Sequence, residues 1–256
     1  MKRHLPPTLL IAALLIGWEA ACRLLHVAPY ILPPPSAVAV SLATDAPILL
    51  AAAWNTLSMA LWALLLASLA GCGLALASAL SPALDRAVRP LAVAAQVTPV
   101  VAVAPLFVIW AGLDHPERAI VALAAIVAFF PIFSGATAGL KSADPGLERV
   151  FDLYGASRWE RLTRLRLPAS TPFLLEGHRV AAGLAVIGAV VAEFVAGSGA
   201  APGLAWRILE AGNRLQTDRM FAALAVLAAL GLLLHGAVHA AERRLLAWWA
   251  GTGPAR

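Results

Sequence analysis

Long apolar runs, each about as long as a bilayer-crossing helix, alternate along this chain with short polar loops. A helix needs about 20 apolar residues to cross the hydrocarbon core. Six segments reach or approach that length: residues 9–25, 56–80, 91–112, 119–140, 172–196 and 220–246. All are rich in Ala, Leu and Val and lack the alternation of a strand, and helices satisfy their own backbone groups in lipid. The pattern predicts an all-α polytopic membrane protein, with residues 1–256 forming one transmembrane domain of about six spans.

One polar stretch stands apart. Residues 141–171 carry Lys141 and five arginines (Arg149, Arg158, Arg161, Arg164 and Arg166), mixed with Glu148, Asp152 and Glu160. Asp144-Pro145 reads as a capped helix start, with proline where its missing N–H is harmless. The helix that follows puts Leu147, Val150, Phe151 and Tyr154 on one face, and Gly155 ends it. Ser157 and Glu160 have the form of a capping box. It opens a second short helix through Trp159, Leu162 and Leu165, which Leu167-Pro168 is expected to stop. Thr171-Pro172 is expected to cap and begin the fifth span. The loop thus reads as helix, glycine elbow, helix. Adsorption to anionic lipid is one use for such a basic, Trp-bearing segment. The mixed charges and the bend favour a protein groove instead.

Loop charge also fixes orientation. Lys2, Arg3, Arg86, Arg89, the 141–171 loop, Arg243, Arg244 and Arg256 fall on one side. The other side has Arg23, Arg118, Arg207, Arg214 and Arg219, with neither Lys nor Arg between residues 26 and 55. The positive-inside rule then places both termini and the 141–171 loop in the cytoplasm. The basic N-terminus followed by an apolar run also resembles a secretory signal, but Glu19 sits badly in one, and a retained first helix is expected.

Composition agrees. A hydrophobic share of 61%, a charged share of 13% and a mean hydropathy of +0.82 exclude an ordinary soluble domain. The net charge of +5 is spent in loops, without the aromatic interleaving of a nucleic-acid surface. Cys22 and Cys72 lie in apolar runs and offer neither a disulfide framework nor metal-ligand spacing.

Several polar or helix-breaking residues fall within spans. Pro99 and Pro105 interrupt the third and Pro131 the fourth, as plain kinks or as bends that open a path. Gly71, Gly73, Ala75 and Ala77 are expected at close helix contacts. Glu19–Arg23 and Glu176–Arg179 have the spacing of in-helix ion pairs. Glu193, near the outer end of the fifth span, stands either as a cap on the glycine-bearing loop at 197–199 or as an outer gate. The proline run before Ser36 predicts a short helix capped by that serine. His235 and His239, one turn apart, read as packing residues rather than metal ligands. Gly135–Ser142 approaches a P-loop, but Leu140 stands where the second glycine belongs and no strand precedes it. No Ser-His-Asp arrangement appears, and the chain reads as a non-enzyme.

The 141–171 loop resembles the coupling loop of permease subunits of ABC-type importers. Their signature is a Glu-Ala-Ala triplet, a glycine after three more residues, and a later Leu-Pro. Gly155, the run Gly155-Ala156-Ser157-Arg158-Trp159, and Leu167-Pro168 match it; Arg149-Val150-Phe151 replaces the triplet, with Glu148 one place early. Ile31-Leu32-Pro33-Pro34-Pro35-Ser36, Thr98-Pro99, Ala104-Pro105-Leu106, Phe129-Phe130-Pro131 and Val191-Ala192-Glu193-Phe194 are similar to the nitrate/sulfonate/taurine branch. The resemblance implies a bacterial inner-membrane permease that works as a pair, most simply a homodimer in membrane lipid. Each pair is driven by two cytoplasmic ATPases, which use the ATP, and fed by an extracytoplasmic solute-binding protein. This chain would bind no cofactor, metal or nucleic acid. Glu148, Phe151, Gly155, Ala156, Ser157, Arg158, Trp159, Leu162, Leu167 and Pro168 would meet the ATPase; Pro99, Pro105, Pro131 and Glu193 would line or gate the path. The implied cargo is a small anion such as an aliphatic sulfonate, taurine or nitrate, or alternatively a pyrimidine vitamin precursor. An ion-coupled secondary transporter needs midplane acids and an inverted repeat, and a membrane enzyme needs a catalytic constellation; neither pattern is evident.

Overall fold

The computed structural model describes residues 5–112, 115–196 and 202–249, the side chains of 5–7 and 248 excepted. Every regular element in it is helical. In order these are α1 (Leu5–Leu24), α2 (Pro35–Thr44), α3 (Ala46–Leu80), α4 (Pro82–Val97), α5 (Val100–Ala111), α6 (Pro116–Leu140), α7 (Pro145–Leu153) and α8 (Arg158–Arg161). A π-helical turn (Leu162–Arg166), α9 (Leu167–Ala196), α10 (Leu204–Asn213) and α11 (Thr217–Trp249) follow.

The all-α multi-pass architecture is as expected, but fewer than six spans are evident among the described residues. Four helical stretches among the described residues are long and apolar enough to cross a membrane, at Ala46–Leu80, Pro116–Leu140, Arg158–Ala196 and Thr217–Ala247. A fifth exists only as the pair α4 and α5, bent by 100° at its break. The expected span at 91–112 is therefore not one helix. Thr98 and Pro99 are extended there, because a residue before proline is pushed out of the helical region. Pro105 and Pro131, by contrast, are accommodated inside α5 and α6. At 20 residues, α1 overlaps the expected first span as far as Leu24 but is not among those apolar stretches, and α3 begins ten residues before the predicted second.

The chain divides into two compact units. The first comprises Met1–Thr56 and Ala201–Leu230. Its core joins Val38, Leu49, Ala52, Ala53, Leu204, Ala222 and Ala223. Fully buried Thr56 accepts a 2.9 Å hydrogen bond from the Leu204 N–H, meeting one of the orphan donors at the start of α10. The expected Glu19–Arg23 pair forms at 2.6 Å. Glu19 also accepts from the backbone N–H (3.0 Å) and hydroxyl (2.9 Å) of Ser36. That corrects the cap of α2: Pro34 is its N-cap and Ser36 lies inside the first turn, where the Glu19 carboxylate takes over the capping.

The same unit holds a strained turn. Leu215 follows α10 at φ 57°, with the Gln216 N–H bonded to the Ala211 carbonyl and its own N–H to Gly212. A side chain in the left-handed region costs about 1–2 kcal/mol, and Leu215 is exposed, so it returns little by packing. Leu215→Gly is therefore expected to raise the melting temperature by a few degrees. Thermal melting of the detergent-solubilised protein checks it; a fall would contradict the strain argument.

The second unit comprises Leu57–Ala200 and Gly231–Arg256. Its centre is the packing of α6 on α9, where glycines let backbones meet. A Cβ at Gly177 would lie 2.7 Å from the Pro131 carbonyl oxygen, one at Gly135 2.8 Å from that of Phe173, and one at Gly139 2.9 Å from Ser170. Gly71 and Ala75 occupy close contacts as expected, but Gly73 faces open space. A second cluster, with Ala75, Val88, Ala92, Phe133, Leu140 and Leu162, joins the ends of α3, α4 and α6 to the π turn. The expected Glu176–Arg179 pair forms at 2.6 Å, and Arg179 also reaches Glu242 of α11 at 3.5 Å.

Candidate functional site

Local chemistry shapes the first half of the 141–171 loop. Asp144 caps α7, accepting from the N–H groups of Gly146 (2.6 Å) and Leu147 (3.3 Å). The helix closes in a Schellman motif: Ala156 N–H to Phe151 carbonyl (2.9 Å) and Gly155 N–H to Asp152 carbonyl (3.1 Å). Gly155 sits at φ 65°, which only glycine adopts without strain. Two residues on, the capping box forms as expected, the Ser157 N–H donating to Glu160 (3.0 Å) and the Glu160 N–H to the Ser157 hydroxyl (3.2 Å). The Ser157 N–H, and then its hydroxyl, hold the Glu160 carboxyl below the usual carboxylate range.

Past the elbow the structure departs from expectation. The second helix does not stop at Leu167-Pro168. It runs from α8 through the π turn into α9, one helical stretch from Arg158 to Ala196. In the π turn the Leu167 N–H reaches back to the Leu162 carbonyl, one residue further than an α-helix allows. That extra residue opens the turn just where Pro168 would otherwise clash with the preceding carbonyls. Nor does the fifth span begin at Thr171-Pro172, for Pro172 lies inside α9.

Ion pairs across the bend, which periodicity could not reveal, fix its angle. Glu148 on α7 meets Arg166 at 2.7 Å and Arg161 at 3.4 Å, and Arg161 also holds Asp152 at 2.6 Å. Glu148 thus makes the cross-elbow bond that a glutamate one place later could have supplied. Arg158 donates to the Leu80 carbonyl at the end of α3 (3.4 Å), and Trp249 of α11 donates to the Pro168 carbonyl (2.9 Å). Leu162 and Leu165 are buried beneath.

The opposite face is bare. Leu153 and Tyr154 are each 86% exposed and Trp159 63%, beside exposed Leu147 and Val150. They flank a cavity of about 300 Å³ lined by Phe151, Gly155, Ala156 and Glu160, among others. An apolar patch on so basic a loop marks a contact surface. Leu153 was missed because it falls one step off the face that the helical spacing picked out. Of the path candidates, Glu193 is 1% exposed in α9; residues 197–199, which it was expected to cap, lie outside the described residues.

A multi-pass helical protein that presents a braced apolar elbow on a polar loop has the build of a transport component. Residues 63–247 match the family model described as binding-protein-dependent transport system inner membrane component, and the chain belongs to that family. It is 34% identical to the formylaminopyrimidine transport permease protein ThiX of Halalkalibacterium halodurans over 97% of this chain and 98% of that relative. It is 36% identical to the riboflavin transport system permease protein RibX of Chloroflexus aurantiacus over 96% and 90%. The taurine transport system permease protein TauC of Escherichia coli is 33% identical over 93% and 87%.

Proposed function

We infer that this chain is the permease of an ATP-driven importer of small solutes, with α7, the Gly155 elbow and α8 docked in a groove of a cytoplasmic ATPase. The carrying observation is the exposure of Leu153, Tyr154 and Trp159 on an elbow whose inner side is pinned by Glu148. Closure of two ATPases around ATP would push two such elbows, one from each permease of a pair. The basic loops favour the orientation with this elbow and both termini inside the cell. Within the first unit, a cavity of about 160 Å³ is lined by three arginines from the less basic set of loops, Arg207, Arg214 and Arg219, with Asp45 and Glu210. Three cations against two carboxylates leave +1, a suitable socket for an acidic side chain of a solute-binding protein.

For the cargo, a nitrogen heterocycle of the pyrimidine type is favoured over a sulfonate. The formylaminopyrimidine permease matches this chain nearly end to end. The taurine relative keeps the sulfonate as second reading. Proteoliposomes holding the permease with its ATPase and binding protein are expected to accumulate labelled formylaminopyrimidine in preference to taurine, and only with ATP. Uptake by the permease alone would refute the importer; preference for taurine would refute the heterocycle while leaving the importer intact.

A further inference from the structure

Between α4 and α6 lies an open groove of about 700 Å³ that the coupling elbow does not use. On α6 it is lined by Phe130, Phe133, Ser134, Thr137, Ala138 and Lys141, which share one helical face. From Lys141 to Phe130 is about 16 Å of helix at 1.5 Å per residue, roughly half of the ~30 Å hydrocarbon core, or one leaflet. The groove is graded along that length. At its mouth Lys141 and Arg89 both hold Asp85, at 2.8 and 3.0 Å, and two cations on one carboxylate leave +1. Midway, the buried Thr137 hydroxyl oxygen has no protein partner. Beyond it the walls are Val93 and phenylalanine.

A charge at one end, a hydroxyl next and a leaflet's depth of apolar wall describe an amphiphile. We propose that the groove is a binding site for an anionic phospholipid, its phosphate on Arg89 and Lys141 and one acyl chain along α6 towards Phe130. A solute passing through would find the charge and the apolar floor on one axis with no reason for the length match. An apolar helix of a second copy would leave the cationic mouth unanswered. With the basic loops inside the cell, the mouth opens to the inner leaflet, where anionic headgroups gather against cationic side chains.

The test exchanges the full-length permease into nanodiscs of equal phosphatidylglycerol and phosphatidylcholine, then counts retained lipids by native mass spectrometry. Phosphatidylglycerol should be enriched at least about fivefold, the worth of one net positive charge near an anionic surface. Arg89→Gln with Lys141→Gln should abolish the enrichment, while Arg86→Gln, outside the groove, should keep it. Val93→Trp leaves both cations and fills the apolar part; it too should lose the lipid, which keeps the test decisive if the double variant fails to fold. Millimolar inorganic phosphate should not displace the lipid, because the chain as well as the headgroup holds it. Equal retention in the double variant or in Val93→Trp, displacement by phosphate, or disulfide trapping of Val93→Cys between two copies would overturn the proposal.

Discussion

Trp159→Glu is expected to uncouple the permease, reducing both capture of the ATPase and ATP-driven uptake by about 30-fold or more while the protein still reaches the membrane. Trp159 is 63% exposed beside Tyr154, on the bare side of a loop whose inner side is buried by Leu162 and Leu165. Large aromatics at the centre of a contact commonly contribute about 2 kcal/mol or more, some 30-fold in affinity. A carboxylate there must also be desolvated on docking. Because Trp159 touches little within the chain, the folded permease should be indifferent to the change. Co-purification of the ATPase with solubilised variant, alongside membrane abundance, separates the outcomes. Full capture would remove the elbow from the coupling role, whereas loss from the membrane would show that the tryptophan serves the fold.

Gly177→Val is expected to act in the opposite way, destabilising the fold while leaving the elbow's exposed face untouched. The added Cβ would sit 2.7 Å from the Pro131 carbonyl oxygen, a backbone atom that can retreat only by parting α6 from α9. Overpacking of this kind costs about 1–3 kcal/mol and sometimes more, which for a chain of this size lowers the melting temperature by roughly 2–12 °C. Gly73→Val is the matched control, since nothing lies within 4 Å of that position. Thermal melting of solubilised protein should show a large drop for the first and almost none for the second. Equal melting would mean that the helices are not held at glycine distance.

Much of this was legible in the sequence because its causes are local. Asp144, Gly155 and the Ser157–Glu160 box act on backbone within a few residues of themselves, and each does in space what its spacing predicted. The apolar lengths of α3, α6 and α11 followed from hydropathy for the same reason. What was misread depends on partners remote in sequence. Ser36 has the form of an N-cap, yet Glu19, 17 residues earlier, takes the capping. Leu167-Pro168 looks like a stop, yet a single π turn lets the helix continue. Gly73 and Gly177 are indistinguishable as letters in apolar runs, and only the neighbouring helix decides which one is indispensable. The brace from Glu148 to Arg166 spans 18 residues and a bend, beyond any periodicity.

The uninterrupted path from Arg158 to Ala196 alters what kind of motion the elbow can deliver. A hinge at Pro168 would have passed on a push alone. A continuous rod with one wound-open turn also carries torque, and each residue of twist amounts to about 100° in an α-helix. Displacement of the elbow would then swivel α9 about its own axis, swinging Glu193 and the glycine seam against α6 through an arc. Solute release in such a molecule would be governed by rotation as much as by separation.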